Sequence, residues 1–410
     1  MHRRLLFLLV IFLLAISQSM AWALGDILAS EYAARRSRLI ALLDTSSFLV
    51  LKGAEPRVRS NDVNYPYRQE SNLLYLCGTD KPEAIVLLSA RPVPIDGKTT
   101  QVVLFKARRG TGKTTEHDTL NDGCILDPNR FKAVLAMLAG TSTTMYVSAP
   151  DVKFVNDWLN DRPLFFERDS RKLFEERHPG LKVKNATPLI ARLREIKSPA
   201  EVGVIEKAIV ATGAGLERVI RSCKPGMMEY ELQADVEYEM VRRGARATGF
   251  PSIVGSGENS LNPHYEENSR RMAAGELVVV DVGAEYENYS ADITRTLPVA
   301  GKFTPEQRAV YQAVLKAQRE TIAIIRAGLP WKAIDKKARE SISASGYGKY
   351  ILHGVTHHLG IDTHDVGSFD TLRAGMVIVV EPGIYIPADD TTLAKGFSRA
   401  TICGKAPTTP

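Results

Sequence analysis

Two domains in series, of class α/β (α+β), are the architecture this sequence predicts: an N-terminal α/β domain with a mixed sheet, then a domain in which one unit of helices and strands is used twice. Three observations predict it. At 410 residues the chain exceeds what one ordinary hydrophobic core fills. Short apolar runs of strand length alternate with helical stretches along it. A polar stretch at residues 191–198 then leads into a strong helix-start signal, which marks a linker between a domain at 24–190 and another at 199–410.

The first 23 residues stand apart from both domains. Arg3 and Arg4 form a basic start, Leu5 to Ile16 an unbroken apolar stretch, and Ala21-Trp22-Ala23 a small-x-small site, the pattern of a cleaved export signal. The apolar run is shorter than the roughly 20 residues a spanning helix needs, so no stable membrane insertion is expected after cleavage. The expected location is periplasmic or secreted. Export permits disulfides, but Cys77, Cys124, Cys223 and Cys403 lie far apart with no C-x-x-C pattern, and read as isolated thiols or at most one bridge. The net charge of +6 is small for this length and no long Lys/Arg run occurs, which argues against nucleic acid as a partner.

In the first domain Phe48-Leu51, Ala84-Leu88 and Gln101-Phe105 read as strands and Arg130-Leu138 as a helix, hence the mixed sheet. Ser198-Pro199-Ala200-Glu201 is a capping box with proline at the first helical position. Helices over 199–222 and 228–243 follow, parted by the breakers Lys224-Pro225-Gly226. Ile253-Gly255, Glu276-Gly283 and Ser290-Pro298 read as strands. Thr304-Pro305-Glu306-Gln307 starts a long helix ending before Gly328, a further helix runs from Trp331 to Ser343, and Met376-Val380 is another strand. Helices then strands, twice over, suggest a duplicated unit, although the residues themselves reveal no obvious repeat.

Val278 to Thr296 reads as two strands joined by a tight turn around Tyr286-Glu287-Asn288, with Asp281 on one strand and Asp292 on the other. If the turn centres near Tyr286, the two fall close to opposite one another, where side chains on the same face lie about 4.5–5.5 Å apart. Buried like charges at that range repel, and one protonates unless a cation lies between them. Val278-Val279-Val280 argues for burial over a solvated hairpin. Next comes His353-Gly354-Val355-Thr356-His357-His358, with His364 shortly after. Half of the eight histidines gather here, and imidazole is both metal ligand and proton shuttle. A single histidine of this kind is usually structural; the cluster as a group points to function. Last, Val379-Val380-Glu381-Pro382-Gly383 ends an apolar strand in a carboxylate. Carboxylates and one imidazole make a hard site suited to Mn²⁺, Co²⁺ or Zn²⁺. Two such ions roughly 3.5–4 Å apart activate water and polarise a carbonyl, which is hydrolysis without a covalent intermediate.

In that order and in the contexts VVVDVGAEY, SADITRT, HGVTHHLGIDTHDVG and VVEPGIYI, these residues resemble the ligands of the pita-bread metallopeptidases, and within them aminopeptidase P. Ser256-Gly257-Glu258-Asn259 leading to His264-Tyr265 resembles the family's substrate-binding histidine segment. Asn61-Asp62 with Tyr67-Arg68-Gln69-Glu70-Ser71-Asn72 resembles its N-terminal domain. The resemblance spans roughly residues 30 to 396 and implies helices related by a pseudo-twofold over a curved antiparallel sheet. It implies two divalent ions, most often Mn²⁺, held by Asp281, Asp292, His357 and Glu381, with a hydroxide between them and Glu381 as proton acceptor. It gives His264 and His364 contacts to substrate and tetrahedral intermediate, and places Asp62, His353 and Tyr385 about the substrate. The implied substrate is a peptide with proline second, and the implied assembly a homodimer or homotetramer.

One departure stands out. The family's next strand reads approximately Gly-x-Arg-x-Glu-Asp, and its glutamate bridges the metals; no glutamate follows Glu381 here. Asp389 and Asp390 lie in an expected turn and are poor substitutes. Three carboxylates leave two divalent ions with a surplus of positive charge, so the second site is expected to be weakened. Loss of the strand is also expected to leave a sheet edge unpaired. Because the other ligands are all retained, a reading-frame divergence of an intact enzyme accounts for the ending better than long decay into a peptide-binding form.

Three other readings are weaker. Ala107-Arg108-Arg109-Gly110-Thr111-Gly112-Lys113-Thr114 matches a relaxed phosphate-loop pattern, but no apolar helical period follows it, as that loop requires. A metal-free creatinase-like hydrolase would not need Asp281, Asp292 and Glu381. A prolidase-like dipeptidase differs by its preference for dipeptides, which these residues leave open.

Overall fold

The computed structural model describes residues 27–106, 120–148, 155–157, 162–164, 172, 174–387, 390, 400–403 and 406–408. The expected export signal at 1–23 and the segment 107–114 with the phosphate-loop pattern lie outside them. The described chain divides into two compact units, Ile27–Arg194 and the part from Glu195 onward. Among the described residues no helix is long and apolar enough to cross a membrane.

The first unit runs α1 (Ala29–Ile40), β1 (Ser47–Lys52), β2 (Val58–Ser60), β3 (Val63–Asn64), α2 (Ser71–Cys77), β4 (Ile85–Ile95), β5 (Lys98–Phe105), β6 (Cys124–Leu126), α3 (Phe131–Ala139), β7 (Thr144–Val147), β8 (Val155–Asp157), β9 (Arg162–Leu164), β10 (Lys182–Asn185) and α4 (Thr187–Arg194). Six strands form the mixed sheet in the order β10-β7-β1-β4-β5-β6, with β1 antiparallel to β4 and parallel to β7. Asp96 and Gly97, both at positive φ, make the two-residue turn between β4 and β5 that their right-handed twist favours. Phe48, Leu87, Val103 and Phe105 bury against Val134 and Leu138 of α3. The stretch expected as a linker, 191–198, is helical in its first half, because Ile190 packs into the core and carries α4 on to Arg194.

The second unit opens with α5 (Pro199–Ser222) and α6 (Glu229–Arg242). It continues through β11 (Ala247–Thr248), β12 (Ile253–Ser256), β13 (Leu277–Val282), β14 (Ala284–Tyr286), β15 (Tyr289–Ser290) and β16 (Ile293–Pro298). Then come α7 (Pro305–Ile324), α8 (Trp331–Ala344), β17 (Thr356–His358), β18 (Ile378–Val380), β19 (Gly383–Ile386), β20 (Ala400–Cys403) and β21 (Ala406–Thr408). Both expected capping boxes form, Ser198 with Glu201 and Thr304 with Gln307. One core joins α5 and α6 to β12, β13 and β16, and two others join α7 and α8 to β18 and β19.

The duplication is plain in the hydrogen bonds. Gly226 N–H donates to Met272 C=O and Met272 N–H to Met227 C=O; Gly328 donates to Leu372 and Leu372 to Leu329 in the same way. Glu229 N–H donates to Arg270 C=O as Trp331 N–H does to Asp370 C=O, and the lone bridges Met228↔Arg271 and Pro330↔Thr371 complete the match. With those pairs aligned, a repeat thought absent becomes legible: RMAAGELVVVDVG at 271–283 against TLRAGMVIVVEPG at 371–383.

The sheet edge expected to be bare is paired. β20 lies antiparallel to β19, with Gly383 opposite Cys403, and β21 lies against β18, with Val380 opposite Ala406. Backbone pairing needs no particular side chain, so residues 400–403 and 406–408 supply strands without the expected glutamate.

Candidate metal centre

The site is built on two hairpins. Glu287 and Asn288, at φ 46° and 66°, form a two-residue turn of the type that needs positive φ at both positions. That turn lies beyond Tyr286, so the strands slide relative to the expected pairing: Asp281 faces Thr294, and the register carried on by Ala291 N–H to Ala284 C=O leaves Asp292 beside Gly283. The two aspartates are therefore diagonal neighbours on one face, not directly opposed. A diagonal is wider, about 7–8 Å between backbones, and leaves room between the carboxylates. Gly283 permits it, since a Cβ there would lie 1.8 Å from Ala291 O.

The second hairpin repeats the arrangement. His357 pairs with Val379, and Glu381 follows two residues later on the same face, its N–H bonded to Val355 C=O at 2.8 Å. His357 Nε2 then stands 3.3 Å from Asp292 Oδ2 and 3.4 Å from Glu381 Oε1. Asp292 is fully buried, and Asp281, His357 and Glu381 nearly so.

His357 Nδ1 lies 2.8 Å from His358 O, a contact that requires the proton on Nδ1, so that in the neutral ring the lone pair is on Nε2. That nitrogen is buried without a hydrogen-bond partner. A lone pair aimed between two carboxylates, with the other ring nitrogen held by a carbonyl, is the tautomer a metal-ligating histidine needs. The donor set thus fits divalent ions. The groups face one another without forming a closed shell: among the described residues no three or more His, Cys, Asp or Glu side chains have the geometry of a finished metal site. Burial opposes charge on His357, but Asp292 and Glu381 outweigh it and hold the imidazole above its ordinary pKa.

These residues line a cavity of about 640 Å³. His264, His353, His364 and Tyr385 line it too. His364 stacks on His357 with ring centres 4.1 Å apart, and His353 Nε2 lies 2.9 Å from Tyr385 Oη. Asp62 belongs to the other unit, on the exposed turn between β2 and β3. His358 departs from the histidine cluster: strand alternation turns it to the opposite face, fully buried, with Nε2 bonded to Ser368 O and the ring against Trp331 and Phe369. Asp390 is engaged elsewhere, accepting from Lys349 Nζ and Tyr350 Oη.

Two residues escaped the sequence reading. Thr294 donates from Oγ1 to Asp281 Oδ1 at 2.6 Å, orienting that carboxylate, and its signal was the alternation Asp292-x-Thr294. Lys197 forms a buried ion pair with Asp365, beside His364, and no local pattern announces so distant a pairing.

Comparison with known proteins agrees with this geometry. Residues 203–402 match the model of metallopeptidase family M24, and residues 32–147 that of the aminopeptidase P N-terminal domain. An Xaa-Pro aminopeptidase of Escherichia coli is 31% identical over 399 residues, covering 89% of this chain and 89% of its own. A zinc-substituted E. coli aminopeptidase P in complex with product superposes with a TM-score of 0.79 at 29% identity, covering 94% of this chain and 93% of the other. An Xaa-Pro dipeptidase of Pyrococcus furiosus is 38% identical, but over 52% of this chain and 63% of its own. With its pita-bread unit behind an aminopeptidase P type N-terminal domain, the chain belongs to metallopeptidase family M24.

Proposed function

We propose that the chain is a metal-dependent exopeptidase that hydrolyses the bond between an N-terminal residue and a following proline. The observation that carries this is the buried Nε2 of His357, 3.3 Å from Asp292 and 3.4 Å from Glu381, with its Nδ1 held by a backbone carbonyl. The full-length likeness to an Xaa-Pro aminopeptidase supports the substrate class.

Asp281, Asp292, His357 and Glu381 would hold the ions, with Mn²⁺ the favoured metal and Co²⁺ or Zn²⁺ alternatives. Bound there, divalent ions supply Lewis acidity and a water of lowered pKa. Thr294 keeps Asp281 turned into the site. Glu381 accepts the proton of the attacking water and passes it to the proline nitrogen as the C–N bond breaks. His264 and His364, on the cavity wall, donate to the carbonyl oxygen as negative charge develops on it. His353 and Tyr385, joined to each other, border the pocket for the residue ahead of proline.

The missing last glutamate sets the finer reading. Without a fourth carboxylate one of two ions would be a ligand short, so the second ion would bind weakly and turnover would depend on free metal. The proposal includes export to the periplasm or exterior, on the strength of the N-terminal signal, and a homodimer or homotetramer.

Metal analysis together with cleavage of Xaa-Pro dipeptides and longer Xaa-Pro peptides tests this. Metal-dependent release of the first residue from both supports the aminopeptidase; release from dipeptides alone favours a prolidase-like enzyme, in line with the partial dipeptidase match. A protein that binds such peptides, retains one ion or none and never cleaves them is the second reading, favoured only by the absence of glutamate beyond Glu381.

A further inference from the structure

We propose that Glu229 is the positioning residue for His264, a buried carboxylate whose hydrogen bonds hold the segment Ser256–Arg270 that carries this histidine to the cavity. The proposal rests on the role given to His264 above.

Glu229 is the first residue of α6 and is fully buried. Its Oε1 accepts from Ser256 N at 2.6 Å and Ser256 Oγ at 2.7 Å. Its Oε2 accepts from Tyr265 Oη at 2.8 Å and Arg270 N at 2.9 Å, and Asn259 Nδ2 reaches both oxygens at 3.3 Å. Every one of these donors belongs to Ser256–Arg270, gripped at its start, middle and end. His264 adjoins Tyr265, and its own N–H is bonded to Asn262 Oδ1 at 3.0 Å. Ser256 Oγ also accepts from Arg270 Nη1, which pairs with Glu276, so the carboxylate is tied through serine to a guanidinium.

A carboxylate removed from water is costly unless fully hydrogen-bonded, so a site that keeps one invites a reason. The helix terminus alone does not supply it. In the second copy of the repeat the same station, first residue of α8, is Trp331, which packs on His358 and Phe369 at ring-centre distances of 4.5 Å and 5.0 Å. The fold accepts an apolar residue there. What Glu229 adds is a match to the donors of the His264 segment.

The test compares parent, Glu229→Gln, His264→Ala and the double variant in two measurements: hydrogen exchange along residues 256–270, and steady-state cleavage of an Xaa-Pro peptide. Exchange over the segment is expected to rise about tenfold in Glu229→Gln, the loss of roughly one net hydrogen bond, with the rest of the protein as in the parent. Its kcat/KM is expected to fall by roughly ten- to a hundredfold, as a small misplacement does. The double variant is expected to match His264→Ala within about twofold, since one residue acts through the other. Unchanged exchange, or losses that multiply in full, overturns the proposal. Should Glu229→Gln fail to fold, Tyr265→Phe removes a single donor, and exchange there must rise in the same direction; parental exchange overturns it. If the parent does not cleave, or His264→Ala cleaves as the parent does, the reading of His264 fails and the exchange data alone decide whether Glu229 positions the segment.

Discussion

Asp281 and Glu381 occupy the same station in two copies of one hairpin. Asp281 is the next-to-last residue of β13 and Glu381 directly follows β18, each the central strand of a three-stranded sheet; each is paired across the ladder with an apolar residue, Ile253 or Val355, and each is followed two positions on by a glycine, Gly283 or Gly383. Duplication thus delivers one carboxylate from either half. Asp292 and His357, from the neighbouring strands, then fill the ground between them.

Asp292→Ala is expected to abolish Xaa-Pro hydrolysis while leaving unfolding cooperative. Asp292 is fully buried 3.3 Å from His357 and near other carboxylates, so in chelator its removal loses one attraction and relieves repulsion at once, and the thermal midpoint should change little. Turnover near the parental rate, or a large drop in the midpoint, would contradict the role given to this residue.

Gly283→Ala probes the geometry and not the chemistry. The added methyl would meet a backbone carbonyl, Ala291 O, at 1.8 Å, and a backbone atom cannot swing aside as a flexible side chain can. A loss of roughly 3 kcal/mol or more in denaturant unfolding is expected, at the upper end of overpacking penalties. An alanine variant within a few tenths of the parent would mean that the strand crossing is looser than described.

Much of this was legible in the sequence, and what was missed shares a cause. The helices from Pro199 and Pro305 were readable because capping boxes and proline are local signals. The hairpin's existence is readable too, but a centre near Tyr286 falls one to two residues before the observed one, because Glu287 and Asn288 at positive φ lack the glycine that usually announces such a turn. That slip turned a diagonal pair of aspartates into a facing one. The repeat stayed hidden until backbone bonds aligned its copies, since only a short stretch keeps similar residues. His358 was grouped with its neighbours because composition is blind to which face a strand residue takes.

The buried pair of Lys197 with Asp365 gives a stability prediction. Both side chains are about 1% exposed and 3.0 Å apart, from positions 168 residues apart in sequence. Asp365→Ala strands an ammonium in the interior, for which a cost of roughly 3–5 kcal/mol is expected. Replacing both, as Lys197→Met with Asp365→Leu, should recover most of that loss, as shown by urea unfolding of the two single variants and the double. Because Asp365 adjoins His364, the same series should lower kcat in step with any displacement of that ring.

Thiol chemistry offers a check on the first unit. Burial, against the pull of Arg36, pushes the Cys77 thiol up to about 12, and burial alone pushes Cys223 up to about 11. Among the described residues Cys77, Cys124 and Cys223 are free. The thiolate is the reactive form, and a raised pKa shrinks it, so at pH 8 roughly one Cys77 in ten thousand is ionised and access is closed as well. Iodoacetamide under native conditions should therefore spare Cys77, label Cys223 slowly, and reach Cys77 only when denaturant unfolds the unit. The rate at Cys223 should climb about tenfold per pH unit up to its pKa, because each unit multiplies the thiolate by ten. Fast labelling of Cys77 at neutral pH in the folded protein would place that side chain at the surface, in conflict with its position under α1 and the β-sheet.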